Sequence, residues 1–237
     1  MAKKTTIGKR SGEAAVRTDG VGGLSRNALM LIIGGAVLAV ALIIILQQTA
    51  LRGGNAAISG AAAEQKGSEA GPASAAVTVA VYSDFQCPHC KTYQQAVELP
   101  LLQEFVETGI VRYDYRHYIV ISRESADAAN ASECAGEQGY FWPYHDLLFE
   151  QQGVQGRDTV SKTNLKTFAK RIEGLDLSQF DACVDTGKYI EQVYREMQTG
   201  TDEGVTGTPA VFINGEKLEN GQDYQQVKAA IEAVLGK

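Results

Sequence analysis

Cysteine is scarce and unevenly placed: four in 237 residues, none before position 87. That leaves no cysteine just after the long apolar run of the N-terminal region, which argues against a lipid-attached cysteine there. A second close pair of cysteines is also missing, and the histidines are scattered, so the ligand set of a structural zinc site is not assembled. No metal and no cofactor is implied. Basic charge is in deficit: the formal net charge is −6 at pH 7. An acidic chain lacks the basic surface that phosphate contact needs, which argues against nucleic acid as a partner. No internal repeat is visible.

What is present begins with the run Ala28–Leu46, which carries no charge. As a helix it would extend about 28 Å, close to the hydrocarbon thickness of a bilayer. It is longer than the apolar core of a cleaved signal peptide, so an uncleaved single-pass anchor is expected. Residues 1–27 hold six basic side chains against two acidic ones, which leaves −10 for residues 28–237. Positive flanks stay in the cytoplasm. The expected order is a cytoplasmic tail (1–27), a transmembrane helix (28–46), a flexible tether rich in Ala, Gly and Ser (47–75), and an extracytoplasmic domain (76–237). All four cysteines then lie outside, where disulfides persist.

The last 160 or so residues are enough for one buried core. Val77–Ser83 reads as a strand and Pro88 to about Thr108 as a helix, kinked near Pro100 because proline lacks the N–H of a helix interior. Residues 110–120 alternate as a strand, with Val111, Tyr113, Tyr115 and His117 on one face. Helices are expected at 122–139, 141–152, 161–172, 177–184 and 189–202. Val211–Ile213 is a strand, Asn214-Gly215 a two-residue hairpin turn, and 223–235 a closing helix. The plan is α/β with helices inserted in the middle.

The chemistry centres on Cys87-Pro88-His89-Cys90. The pair follows a strand and opens a helix, so Cys87 sits where free N–H groups and the helix dipole favour a thiolate. Pro88 suits the first helical turn. Cys87 is the expected exposed attacking thiol and Cys90, one turn deeper, the resolving thiol. His89, beside the sulfurs, would favour the Cys87 anion if protonated or well hydrogen-bonded. A stable thiolate is a good leaving group and makes the disulfide form oxidising. Taken alone, such a pair also fits half a zinc site. Asp84 reads as a turn residue, and Trp142, Tyr140, Phe141 and Tyr144 as packing. His117 and His145 read as ordinary buried or interface histidines, and the Asn130-Ala131-Ser132 sequon as chance.

Tyr82-Ser83-Asp84-Phe85-Gln86-Cys87-Pro88-His89-Cys90, with Gly207-Thr208-Pro209-Ala210-Val211-Phe212-Ile213-Asn214-Gly215 far downstream, resembles DsbA-like thiol–disulfide oxidoreductases of the thioredoxin superfamily. The resemblance covers about residues 76–237. It implies a thioredoxin fold with a helical insertion. It also implies a cis peptide before Pro209 beside the redox pair, Thr208 offering backbone groups to an extended substrate, and a structural disulfide between Cys134 and Cys183 (otherwise two separate buried thiols). In one respect the chain departs from the pattern. Some thioredoxin-fold members carry a buried carboxylate six residues before the first active cysteine, and here that position is Val81, so a proton route through it is in doubt.

The function implied is oxidation of reduced secreted or surface proteins, with reoxidation by a membrane quinone-linked partner. A disulfide isomerase or reductase is the alternative, although residues 47–75 are too short for an isomerase's dimerisation domain. A non-catalytic chaperone-like binding module is a third reading.

Overall fold

The computed structural model describes residues 65–153 and 159–236. The tail expected over 1–27, the span expected over 28–46 and the tether up to residue 64 lie outside the described residues. Among the described residues no helix is long and apolar enough to cross a membrane.

Six strands form one sheet in the order β1-β2-β4-β3-β5-β6. They are β1 (Gln65–Lys66), β2 (Glu69–Ala70), β3 (Val77–Ser83), β4 (Val111–His117), β5 (Ala210–Ile213) and β6 (Glu216–Leu218). β3 lies at the centre, parallel to β4 and antiparallel to β5. It is apolar on both faces because both are covered. Val77, Val79 and Val81 face the larger core, while Ala80 and Tyr82 join Tyr118, Val205, Ala210 and Phe212 behind the sheet.

The helical segment after β3, α1, runs from Pro88 to Val106. Its α-helical stretches Pro88–Tyr93 and Leu99–Leu101 alternate with wider π-type turns at Gln94–Glu98 and Leu102–Val106. Pro100 can donate no backbone hydrogen bond and crowds the turn before it, and widened turns flank it on both sides. Between β4 and β5 come α2 (Arg123–Gly136), α3 (Phe141–Gln151), α4 (Lys162–Ala169), α5 (Leu177–Thr186) and α6 (Ile190–Asp202). A disulfide joins Cys134 on α2 to Cys183 on α5. α6 packs on the rear face through Gly200, where a Cβ would stand 2.8 Å from the Tyr82 ring and 2.9 Å from Tyr118. Asp176 starts α5 by accepting from the N–H groups of Ser178 and Gln179 at 2.9 and 3.0 Å, the usual service of an N-cap carboxylate. The chain closes with α7 (Tyr224–Val234).

Two departures from the sequence reading matter. The tether expected to reach residue 75 gives way to order by Gln65, where β1 and β2 form a hairpin paired to the edge of β4. It is held by Tyr115 N–H on the Ser68 carbonyl at 3.1 Å and by the Arg112–Glu69 ion pair at 2.5 Å. The strand expected to reach Val120 ends at His117, because the N–H groups of Val120 and Ile121 turn inward to a carboxylate in the neighbouring loop.

Candidate active site

That carboxylate is Asp84, in the loop that carries β3 into α1. It is buried, and it accepts from the backbone N–H groups of Gln86 (2.8 Å), Val120 (2.8 Å) and Ile121 (3.0 Å). Charge-assisted bonds of this kind are among the stronger ones, so Asp84 bolts the loop to the end of β4. Next to it, Gln86 Oε1 accepts from the Ser122 and Ser125 hydroxyls at 2.5 and 2.7 Å. From the other side Gln152, capping α3, donates through Nε2 to the carbonyls of Phe85 (2.7 Å) and Cys87 (3.1 Å). Lys91 donates to the carbonyl of Gln152 at 3.2 Å, placing a cation at the negative end of α3.

The loop therefore presents Cys87 in one position. Its backbone is extended (φ −74°, ψ 120°), as a residue before proline prefers, and Pro88 occupies the first helical turn. Its carbonyl accepts the first helical bonds from Cys90 and Lys91. The Thr208–Pro209 peptide is cis, and the Thr208 carbonyl lies 3.5 Å from Cys87 Sγ, so segments 121 residues apart in sequence meet at the sulfur.

Cys87 and Cys90 are both free thiols in this structure. The Cys87 thiol is pulled down to about 5. The hydrogen bond from the Cys90 thiol is the main cause; burial opposes it, and Thr208 and the N–H groups of Cys90 and His89 assist. Cys90 is pushed strongly upward, by burial first and then by the neighbouring Cys87. One sulfur is stabilised as an anion and the other as a thiol.

One expectation about the motif needs correction. Cys87 was expected to be exposed, yet the residue is only 4 % exposed. The segment around Thr208, invisible as a neighbour in the sequence, comes against it. Pro88 and His89 are the exposed members of the motif. His89 acts on the Cys87 sulfur through its backbone N–H.

Farther along α1 from Cys87 and Cys90 lies a polar cluster whose acid, Glu98, the sequence reading passed over. Glu98 on α1 and His145 on α3 are buried, with Glu98 Oε1 and His145 Nε2 3.4 Å apart. The Tyr113 hydroxyl donates to Glu98 at 2.6 Å, and His145 Nδ1 lies 3.0 Å from Asp146. Glu98, His145 and Asp146 bring three donor atoms within 4.8 Å. With Tyr113 on Glu98 and Gln94 donating to Asp146 at 3.3 Å, the group reads as an internal ion-pair network and not as a metal centre. A second buried pair, His117 and Glu133 at 3.0 Å, links β4 to α2. No sequence signal marked Glu98: at α-helical spacing it lies about 140° round from Tyr93, and the segment Gln94–Glu98 instead takes a wider turn. Phe141, Trp142 and Tyr144 are core residues, and Tyr140 packs against them half-buried. Val81, which stands where some thioredoxin folds place an acid, is fully buried and pairs with Val211 and Tyr115 across the sheet.

The family model described as Thioredoxin matches residues 64–233. Disulfide bond formation protein D of Bacillus subtilis is 27% identical over 184 residues, covering 77% of this chain and 83% of that one. The Na(+)/H(+) antiporter NhaA 1 of Salinispora arenicola is 32% identical over 167 residues, 70% of this chain. This chain spans only about a quarter of the length of that antiporter, 24%. Among solved structures, oxidised BdbD from Bacillus subtilis superposes with a TM-score of 0.67 at 25% identity, covering 73% of this chain and 94% of that one. DsbA of Chlamydia trachomatis gives 0.64 at 17% identity, covering 73% and 93%, a likeness of fold.

Proposed function

We propose, from the premise that this chain belongs to the thioredoxin family and is a thiol–disulfide oxidoreductase of DsbA type, that it is a membrane-anchored oxidase acting outside the cytoplasm on reduced secreted or surface proteins. The observation that carries the oxidase reading is the asymmetry of the pair beside the Thr208 carbonyl: the Cys87 thiol is pulled down to about 5, so that it is an anion at neutral pH, and Cys90 is held as a thiol. Such an arrangement stabilises the reduced form and so makes the disulfide a strong oxidant.

In the working cycle a substrate thiolate attacks Cys87 Sγ of the Cys87–Cys90 disulfide. That bond breaks, a mixed disulfide forms, and Cys90 departs with the electron pair and takes up a proton. A second substrate thiolate then attacks the substrate sulfur of the mixed disulfide and expels Cys87 as its stable anion. The substrate has lost two electrons and the redox pair has gained them. A quinone-linked membrane partner is the proposed acceptor. A depression lined by Thr206, Gly207, Thr208, Pro209, Lys217 and Gln222 shares Thr208 with the site, whose carbonyl lies 3.5 Å from Cys87 Sγ. An extended substrate segment would lie there, pairing with the backbone around Thr208 as an added strand.

The anchor reading is supported by the uncharged run at 28–46 and its positive flank. The test of the oxidase reading is the reduction potential of the pair against glutathione. A value more oxidising than about −180 mV supports an oxidase, and one near about −270 mV makes the protein a reductase.

A further inference from the structure

Exchange at a buried thiol needs somewhere for its proton to go. In resolving a mixed disulfide, Cys90 attacks Cys87 Sγ. The Cys90–Cys87 bond forms, the bond from Cys87 to the other thiol breaks, that thiol leaves as an anion, and the proton of Cys90 must move. Cys90 is 1% exposed. The carboxylate position some thioredoxin folds use is Val81 here.

Four buried polar atoms of α1, β4 and α3 have no hydrogen-bond partner of good geometry among the described residues: Tyr93 Oη, which leans toward Tyr113, Tyr115 Oη, which leans toward Ser83, Glu98 Oε1 and His145 Nε2. They belong to one cluster. Cys90, Tyr93 and Glu98 are all buried residues of α1. Tyr113 and Tyr115 face it from β4, with Tyr113 bonded to Glu98. From α3, the His145 ring meets the Tyr115 ring edge-on at 4.8 Å. The charges of both Cys90 and Glu98 are felt at Tyr93 and at Tyr115, and the Ser83 hydroxyl reaches both the Cys90 thiol and the Tyr115 hydroxyl, which ties the thiol to the phenols. The far end reaches solvent through Asp146, 26% exposed and 3.0 Å from His145.

We infer that the Glu98–His145 pair is the proton acceptor and donor for Cys90, reached through the Tyr93 and Tyr115 hydroxyls. The inference rests on the redox role proposed for Cys87 and Cys90. Glu98 and His145 are positioning residues, since neither touches a reacting sulfur. Burial drives Glu98 up from the ordinary carboxylate value, and Glu98 in turn drives His145 up against its own burial. Between them the pair can take or yield a proton without exposing a charge to the core. When Cys90 attacks, its proton passes to the pair. When Cys90 leaves in the oxidase direction, the pair returns it. The other titratable groups facing the cluster are Tyr113 and His117 from β4, Asp84 from the loop and Asp146 from α3. α7 directs Lys228 and Tyr224 to Glu104 instead.

The test uses the reduced full-length chain and an aromatic disulfide reagent that releases a coloured thiolate. The first release reports attack by Cys87, and the second reports attack by Cys90 on the mixed disulfide. For the wild type the second release is expected to be flat around neutral pH. In Glu98→Gln it is expected to slow at least ~10-fold and to rise with pH as solvent base substitutes, while the first release stays within about twofold. Tyr93→Phe and Tyr115→Phe, singly and together, guard against a fold defect in Glu98→Gln. They remove hydroxyls that hold no well-formed bond, and the double variant is expected to show the same slowing and the same pH slope. An unchanged second release in folded Glu98→Gln, or in the double tyrosine variant if Glu98→Gln does not fold, overturns the relay. Absence of the first release in the wild type overturns instead the redox reading beneath it.

Discussion

The two cysteine pairs of this chain sit in opposite settings. Cys134 and Cys183 sit within two helices of the insertion, 49 residues apart, and their bond closes a long loop. Cys87 and Cys90 sit at the open end of a helix, three residues apart. Neither pair owes its character to burial, for all four residues are nearly inaccessible. What separates them is what surrounds the sulfur. Around Cys87 there are N–H donors from the helix end, a second thiol and the Thr208 side chain. Around Cys134 and Cys183 there are apolar helix faces. The lesson is that lability here is an electrostatic property, and that stability comes from the length of chain that is closed.

The sharpest way to break that contrast is Cys87→Ser. Exchange with a model dithiol should vanish while the thermal transition stays in place; retained exchange would remove catalysis from this pair. The complementary change, Cys134→Ser with Cys183→Ser, should cost about 4 kcal/mol, a fall in Tm of roughly 10 °C, by the loop-closure argument. Calorimetry and the exchange assay together check it: the double variant should retain exchange at a temperature where it is still folded. Loss of exchange in that folded variant would mean the two pairs are coupled.

A smaller effect is expected from Asp84→Asn, which keeps the shape and removes the charge that three N–H groups converge on. Denaturant unfolding should show a loss of about 2 kcal/mol. Smallest is Gln152→Ala. Its two bonds to the loop carbonyls are neutral, so about 1 kcal/mol of stability is expected to go, and the exchange rate should change by no more than a few-fold.

The same contrast explains what could be read from the sequence. β3 and the start of α1 were legible because an apolar run ending in Cys-Pro carries its own local instructions. The Asn214-Gly215 turn was legible for the same reason, and both residues do take positive φ, 48° and 84°. The β1–β2 hairpin was not. Its strands are two residues long, lie among Ala, Gly and Ser, and owe their order to the edge of β4. The burial of Cys87 was hidden because its cover arrives from residue 208. Glu98 was hidden because one carboxylate in a helical pattern reads as a solvated face, and only the fold turns that face inward. His145 was seen as buried, but its partner could not be named. In each case, features set by neighbours in sequence were readable and features set by neighbours in space were not.

The claim that bears the rest is that the Cys87 sulfur is an anion at neutral pH. Its thiol is depressed from the ordinary value of 9.0 to about 5. A depressed value favours the folded, reduced form most fully above the ordinary pKa, and that advantage disappears as pH falls through the lowered one. The direct measurement is the thiolate absorbance of the reduced protein across an acid titration, with Cys87→Ser as the blank. The account predicts a single transition with its midpoint near pH 5, absent from the blank. A midpoint near the ordinary thiol value, or a transition that survives in Cys87→Ser, would contradict it.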